Sequence, residues 1–233
     1  MADDERLVWD LPLRLFHWLL AASILGCWGL AQLGFSWMRW HMWLGYWVMG
    51  LLVFRLIWGI VGPKHARFSN FLKGPSTVLR YVRGLTRGGG AAVRSVGHNP
   101  LGGLMVLLML VLVAVQVLTG LFATDDITWS GPYNAGVSGA TGSRLTRLHH
   151  LNFNFIWAAI GLHVAAILYY ARIKNENLVP AMLTGRKPAD AVPDGQAISS
   201  SELWKAVIVV AVSGGVVYSV LSAAPAEPSN IFY

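Results

Sequence analysis

The sequence predicts an all-α fold, a polytopic membrane helix bundle. Hydrophobic residues make up 55% of the 233, charged residues only 12%, and the mean hydropathy is +0.52. This balance is typical of a protein with several membrane spans rather than of a water-soluble domain. Strand patterns of about ten alternating residues are absent, and a bilayer admits only helices and closed barrels. Helices are therefore the expected spanning elements.

Five apolar stretches reach the length of about 20 residues that a spanning helix needs. The third is the most apolar, and the fifth is interrupted by Ser213, Gly214 and Gly215. The first lacks a strongly basic start and carries His17, so it is interpreted as a retained helix rather than a cleaved signal peptide. The five predicted spans are Leu11–Gln32, His41–Val61, Pro100–Thr124, Leu148–Ala171 and Leu203–Ala223.

The distribution of Lys and Arg predicts the orientation of the chain. The segment between the second and third spans holds Lys64, Arg67, Lys73, Arg80, Arg83, Arg87 and Arg94. The alternate loops are poorer in basic residues, with Arg39 in one and Arg144 and Arg147 in the other. The positive-inside rule then places the N-terminus in the cytoplasm and the C-terminus in the periplasm. Topology explains the formal charge of +7, so no nucleic-acid partner is expected. The segments 63–97 and 187–201 are predicted to be loops.

Five histidines fall inside these spans, where ligating side chains are rare and usually functional, and four of them form two pairs matched in depth. His17 lies near the cytoplasmic start of the first span, and His41 lies at the outer start of the second. His149 lies at the outer end of the fourth, and His163 follows 14 residues deeper, a rise of roughly 21 Å. His17 is therefore expected to meet His163 near the inner face. His41 is expected to meet His149 near the outer face.

Helical geometry distinguishes His149 from the adjacent His150. At 3.6 residues per turn, 14 residues return to within about 40° of the starting face, whereas 13 residues land roughly 140° away. His149 therefore shares a face with His163, and His150 is interpreted as an interfacial polar residue.

The chemistry of the two histidine pairs suits heme iron. Two neutral imidazoles on facing helices complete a low-spin iron with no open position, whereas zinc requires three or four converging ligands. Cys27 is the only cysteine and no C-x-x-C-H motif exists, so any heme is held noncovalently. One alternative is that the four histidines are satisfied independently. Another is a non-redox transporter or scaffold whose histidines bind a metal or a proton.

Three further residues are candidates for holding the cofactor. Arg55 lies 14 residues after His41 and Arg14 one turn before His17, so each could pair with a heme propionate. Both could instead snorkel to the headgroups. Gly45, one turn after His41, would let a flat macrocycle approach the backbone, although helix packing explains a glycine equally well.

From Trp9 to about Ala171 the chain resembles a known family. It is similar to bacterial cytochrome b561 and the b-type cytochromes of nickel–iron hydrogenase and formate dehydrogenase. Together the motifs are specific, although each alone is weak. They are W-D-L-P-L-R-L-F-H-W at Trp9–Trp18, His41 with Arg55, G-H-N-P-L-G at Gly97–Gly102, T-G-L-F-A-T-D-D-I at Thr119–Ile127, and His149 with G-L-H ending at His163.

The resemblance implies a four-helix core over residues 1–172 that holds two b hemes. It assigns the inner heme to His17 and His163 and the outer heme to His41 and His149, in agreement with the pairing by depth. The rest of the chain is then a cytoplasmic loop, 173–202, and a fifth helix with a short periplasmic tail, 203–233. The fifth helix has no histidine, so a structural or partner-docking role is expected for it.

In relatives that react with quinone, the quinone binds near the inner heme, which here implies a site beside His163, Asn99 and Gly102. His98 opens the third span on the same side, and its ordinary pKa near 6.5 suits proton exchange. Each residue has a simpler interpretation. His98 would be an interfacial helix-start residue, and Asn99 would cap the third helix while Pro100 fills its first turn.

The resemblance implies electron transfer between the quinone pool and a periplasmic partner in the bacterial inner membrane. That partner would be a c-type cytochrome or a dehydrogenase or hydrogenase subunit. The outer loop 125–146, with Asp125 and Asp126, is a candidate docking surface, although helix capping explains the acidic pair equally well. A self-contained heme oxidoreductase, such as a superoxide or ferric reductase, is the alternative within heme chemistry.

Overall fold

The computed structural model describes residues 5–86 and 95–225, and five of its helices are long and apolar enough to cross a membrane. The predicted all-α bundle with five spans is confirmed. Arg87 and Arg94 of the basic segment and residues 226–233 of the predicted tail lie outside the described residues. In chain order the helices are α1 Leu11–Gln32, α2 Met38–Val61, α3 Phe68–Phe71, α4 Pro75–Thr86, α5 Pro100–Gly120, α6 Gly139–Arg172, α7 Val179–Thr184 and α8 Leu203–Ser222.

The surfaces of the five long helices are apolar. Val207 on α8, for example, exposes 68% of its surface, and Leu118 on α5 exposes 59%. In water such continuous apolar surfaces would associate, whereas lipid chains solvate them. The molecule is therefore a multi-pass membrane protein.

Local hydrogen bonds define where two of the spans begin. Asp10 Oδ1 accepts the Leu13 N–H at 2.9 Å at the start of α1. Asn99 Oδ1 accepts the Gly102 N–H at 2.7 Å at the start of α5, directly before Pro100. Both are N-caps, which satisfy backbone donors that the first helical turn leaves unpaired.

The second span begins at Met38 rather than at His41, and two other boundaries differ more from the prediction. The third span ends at Gly120 rather than Thr124, because Thr124 pairs with Ser130 across a turn. The fourth begins at Gly139, nine residues before Leu148, because Ser138 caps a polar helical extension: its carbonyl accepts the Gly142 N–H at 2.9 Å. The 34 residues of α6 extend about 51 Å, well beyond the roughly 30 Å of hydrocarbon.

The chain divides into two compact units. The first comprises Met1–Trp18, Arg55–Met109 and Ala159–Val209. In it the strand β1 (Glu5–Leu7) pairs antiparallel with β2 (Arg186–Pro188), with Arg6 opposite Lys187. The segments 63–97 and 187–201, predicted as loops, contain α3, α4 and part of β2.

The second unit comprises Leu19–Phe54, Leu110–Ala158 and Val210–Tyr233. Part of α8 packs here: a Cβ at Gly50 would lie 3.6 Å from Val217 Cγ2, and the Tyr133 hydroxyl donates to the Val220 carbonyl at 2.6 Å. This part of the fifth helix therefore has a structural role in the bundle.

Candidate functional site

The first unit brings His17 and His163 together. Their ring centroids lie 6.3 Å apart with the ring planes at 56°. Helix α1 supplies His17 and helix α6 supplies His163, and both side chains are half-buried. His17 Nδ1 is buried and has no hydrogen-bond partner among the described residues. The pair therefore offers two facing imidazoles in an apolar setting.

The second unit brings His41 and His149 together, also with ring centroids 6.3 Å apart, with the planes at 76°. His41 Nδ1 lies 2.8 Å from the Cys27 carbonyl oxygen, and His149 Nδ1 lies 3.0 Å from the Gln116 carbonyl oxygen. Because a carbonyl oxygen only accepts, each Nδ1 must carry the proton. Each Nε2 therefore keeps a lone pair that can bind a metal.

This donor set fits one metal atom between each pair of rings. Two imidazoles that bind one atom from opposite sides have centroids about 6 Å apart, since each metal–nitrogen bond is about 2 Å and each nitrogen lies about 1 Å from its centroid. No group of three or more His, Cys, Asp or Glu side chains in the described part of the chain could hold a metal ion. The residues therefore fit an iron whose other ligands come from a planar macrocycle.

His150 lies outside this arrangement. Its side chain is exposed, and its ring stands at 84° to that of His149, 6.2 Å away. The His41 ring faces that of His149, and His150 points to the surface of α6.

Two glycines shape the space beside the His41–His149 pair. A Cβ at Gly45 would meet nothing within 4 Å, whereas a Cβ at Gly120 would lie 3.0 Å from His149 Cε1. The backbone of α5 is therefore in close contact with one edge of the His149 ring, and open space lies at Gly45, one turn after His41.

The two candidate arginines differ in their surroundings. Arg55 is only 2% exposed and donates to the Ala66 carbonyl at 3.1 Å. The faces of Phe68 and Phe71 cover its guanidinium. This burial excludes snorkelling as its role. Arg14 donates through Nη1 to the Leu183 carbonyl, and its Nε is buried without a partner in the described residues.

The residues around the start of α5 form a compact cluster in the first unit. The His98 ring packs 4.8 Å from Trp9 and 4.8 Å from Phe71. Burial, and to a smaller extent the Arg55 guanidinium, lower the pKa of His98 to about 3. The ordinary pKa near 6.5 that the sequence suggested is therefore wrong for His98, and its ring stays neutral throughout the physiological pH range.

Both polar atoms of the Asn99 side-chain amide form hydrogen bonds. Its Oδ1 caps α5 through Gly102, and its Nδ2 donates to the Tyr170 hydroxyl at 2.6 Å. The Tyr170 and Tyr81 hydroxyls lie 2.8 Å apart. The capping interpretation of Asn99 is therefore observed.

Sequence reasoning missed two buried polar groups in the first unit. Asp10 is 1% exposed and accepts the Trp58 Nε1–H at 2.9 Å, while its Oδ2 has no partner in the described part. Burial raises the pKa of its carboxyl. His65 is 3% exposed and donates through Nε2 to the Gln196 carbonyl at 2.8 Å. Asp10 could have been predicted as an N-cap, because it directly precedes α1. No local pattern, however, predicts that His65 is buried.

Fold and site together define a polytopic α-helical membrane protein with facing histidine pairs in its spans. Residues 8–185 match the family described as prokaryotic cytochrome b561. Because the match covers most of the chain, the protein belongs to this family, and it is a membrane b-type cytochrome for electron transfer. Neither the curated proteins nor the solved structures contain a match to the chain.

Proposed function

We propose that this cytochrome binds two b hemes per chain, one between His17 and His163 and one between His41 and His149. The main support is the equal spacing: two pairs in different units each hold their rings 6.3 Å apart. When bound, each b heme supplies a one-electron redox couple, and the protein sets its position and potential. The proposed di-heme domain is 1–172, followed by the cytoplasmic loop 173–202 and the fifth helix within 203–233.

Other side chains would orient the hemes. The buried, unpartnered Nε of Arg14 suits a propionate near the inner pair, His17 and His163. Arg55 is a weaker candidate for binding a propionate, because the Ala66 carbonyl and two phenyl faces already surround its guanidinium. The open space at Gly45 would accommodate the flat face of a macrocycle at the outer pair, His41 and His149.

The inner pair is the proposed place of quinone reaction, beside His163 and His98. His98 supports this proposal, because its Nδ1 is buried and unpartnered in the described residues and its neutral ring can hydrogen-bond a quinone oxygen. Asn99 and Gly102 support it less, because Asn99 Oδ1 would lie 3.3 Å from a Cβ at Gly102 and fills the space there.

The proposed activity is electron transfer between the quinone pool of a respiratory chain and a periplasmic redox partner, with the N-terminus cytoplasmic. The partner class is a c-type cytochrome or a dehydrogenase or hydrogenase subunit. The outer loop suits docking, because Ile127 is exposed and an open cavity of about 550 Å³ adjoins it, lined in part by Asp126, Ala224 and Pro225. Asp125 is less available, because its Oδ1 accepts three backbone N–H groups of its own loop.

Heme stoichiometry tests the central proposal. A pyridine hemochrome assay on purified protein is expected to give two b hemes per chain, and His17→Ala and His41→Ala are each expected to retain one. One heme or none in the wild-type protein would refute it. Reduction of the hemes by a quinol with and without a periplasmic partner separates the proposed activity from a self-contained superoxide or ferric reductase.

A further inference from the structure

Thr119, within the T-G-L-F motif, contacts a candidate heme ligand. Its side chain is 5% exposed. Its Oγ1 lies 2.6 Å from the Val115 carbonyl oxygen, 3.1 Å from that of Gln116 and 3.2 Å from His149 Nδ1. A hydroxyl has one hydrogen, and the shortest contact assigns that hydrogen to Val115. The oxygen lone pairs of Thr119 are then available to the Nδ1–H of His149.

His149 is consequently held through its Nδ1–H by two acceptors, the Gln116 carbonyl at 3.0 Å and the Thr119 hydroxyl at 3.2 Å. Buried Asn152 fixes the same turn of α5, donating to the Gln116 side chain at 2.7 Å and the Leu112 carbonyl at 2.9 Å. Gly120 lies against the same edge of the ring, because a Cβ there would lie 3.0 Å from His149 Cε1 and 3.4 Å from Nδ1. The ring is therefore fixed in both position and tautomer.

Acceptors at Nδ1–H make the opposite nitrogen a stronger electron donor to a bound metal. Stronger donation stabilises the oxidised metal more than the reduced one, and hydrogen bonding of this kind tunes heme potentials. Reduction adds one electron, His149 keeps its proton, and no bond forms or breaks. An acceptor at His149 therefore lowers the reduction potential of the outer site.

We propose that Thr119 is a positioning residue for His149 and that its hydroxyl lowers the reduction potential of the heme at the outer pair. This inference depends on the proposed binding of two hemes. Both outer imidazoles donate to carbonyls, His41 to Cys27 and His149 to Gln116, and Thr119 adds a second acceptor at His149.

The test is a spectroscopic redox titration of the purified holoprotein. Thr119→Val removes the hydroxyl at nearly constant volume, and Thr119→Ser keeps it. Ser23→Ala is the matched control, because Ser23 is a buried hydroxyl whose hydrogen bond goes to its own helix, to the Leu19 carbonyl at 2.7 Å. His163→Ala protein, expected to keep only the outer heme, identifies which midpoint potential belongs to that heme.

Thr119→Val is expected to retain two hemes and to shift the midpoint potential of the outer heme upward without moving that of the inner heme. Thr119→Ser and Ser23→Ala should titrate like wild type. If Thr119→Val fails to hold the outer heme, Thr119→Ala replaces it with the same expectation. Two hemes with unmoved midpoint potentials, or a shift of the midpoint potential of the inner heme, would overturn the inference and leave the two-heme proposal intact. A wild-type protein with fewer than two hemes would instead refute that proposal.

Discussion

Replacing Gly120 by alanine tests how closely the backbone of α5 positions His149. The added Cβ would lie 3.0 Å from His149 Cε1 and 3.4 Å from Nδ1. Optimal carbon–carbon contacts are about 3.5–4.0 Å, so the ring has to give way by a few tenths of an ångström. Alanine is favoured over glycine in a helix by up to about 1 kcal/mol, so the substitution is not expected to unfold α5.

A displacement of this size is comparable with what the site tolerates. Ligating groups have to stay within about 0.5 Å of productive geometry. Moving the ring also disturbs the 3.0 Å bond from His149 Nδ1 to the Gln116 carbonyl. Loss of such a partner typically lowers metal affinity about 10–100-fold, which corresponds to about 1.4–2.7 kcal/mol. We expect Gly120→Ala to weaken binding of the outer heme by a factor in this range.

The assay measures transfer of heme from purified protein to a heme scavenger, followed by the absorption of the remaining b heme. Gly214→Ala is the control, because Gly214 lies on α8 in an exposed position where a Cβ meets nothing within 4 Å. Gly120→Ala should lose one heme about 10–100 times more readily, while the control behaves like wild type. Wild-type retention of both hemes in Gly120→Ala, or selective loss of the inner heme, would refute the reasoning.

Three further predictions concern the ligands, the topology and the start of α5. His149→Ala should lose the outer heme while His150→Ala keeps both, because only His149 faces His41; a hemochrome assay showing the reverse would contradict the ligand assignment. A fusion of alkaline phosphatase after α8 should be active and one within the basic segment 63–97 inactive, because the basic loops stay in the cytoplasm; the opposite pattern would invert the proposed orientation. Asn99→Ala should destabilise the protein by about 1 kcal/mol through the lost cap and slow stopped-flow heme reduction by a quinol at full heme content. A wild-type rate would leave Asn99 as a cap alone.

Regular patterns in the sequence were sufficient to locate the membrane spans and to indicate which histidine rings lie together. A span is a run of about 20 apolar residues, so the first span could be located to the residue, from Leu11 to Gln32. The 14-residue spacing of His149 and His163 is likewise a local helical property. It correctly indicated which of two adjacent histidines faces His41.

The polar surroundings of the site were decided by the tertiary structure. Backbone carbonyls accept the protons of His41 and His149, and every residue has a carbonyl, so no side-chain pattern indicates which one lies nearby. The pairing of β1 with β2 joins segments about 180 residues apart, and the burial of His65 beside Gln196 depends on contacts of the same kind. Hydropathy and helical spacing are local properties of the chain, whereas these contacts form only once distant short segments have folded against each other. The sequence by itself therefore determined the membrane spans and the histidine spacing, and only the tertiary structure decided the tautomers, the burial of His98 and Asp10, and the position of each imidazole.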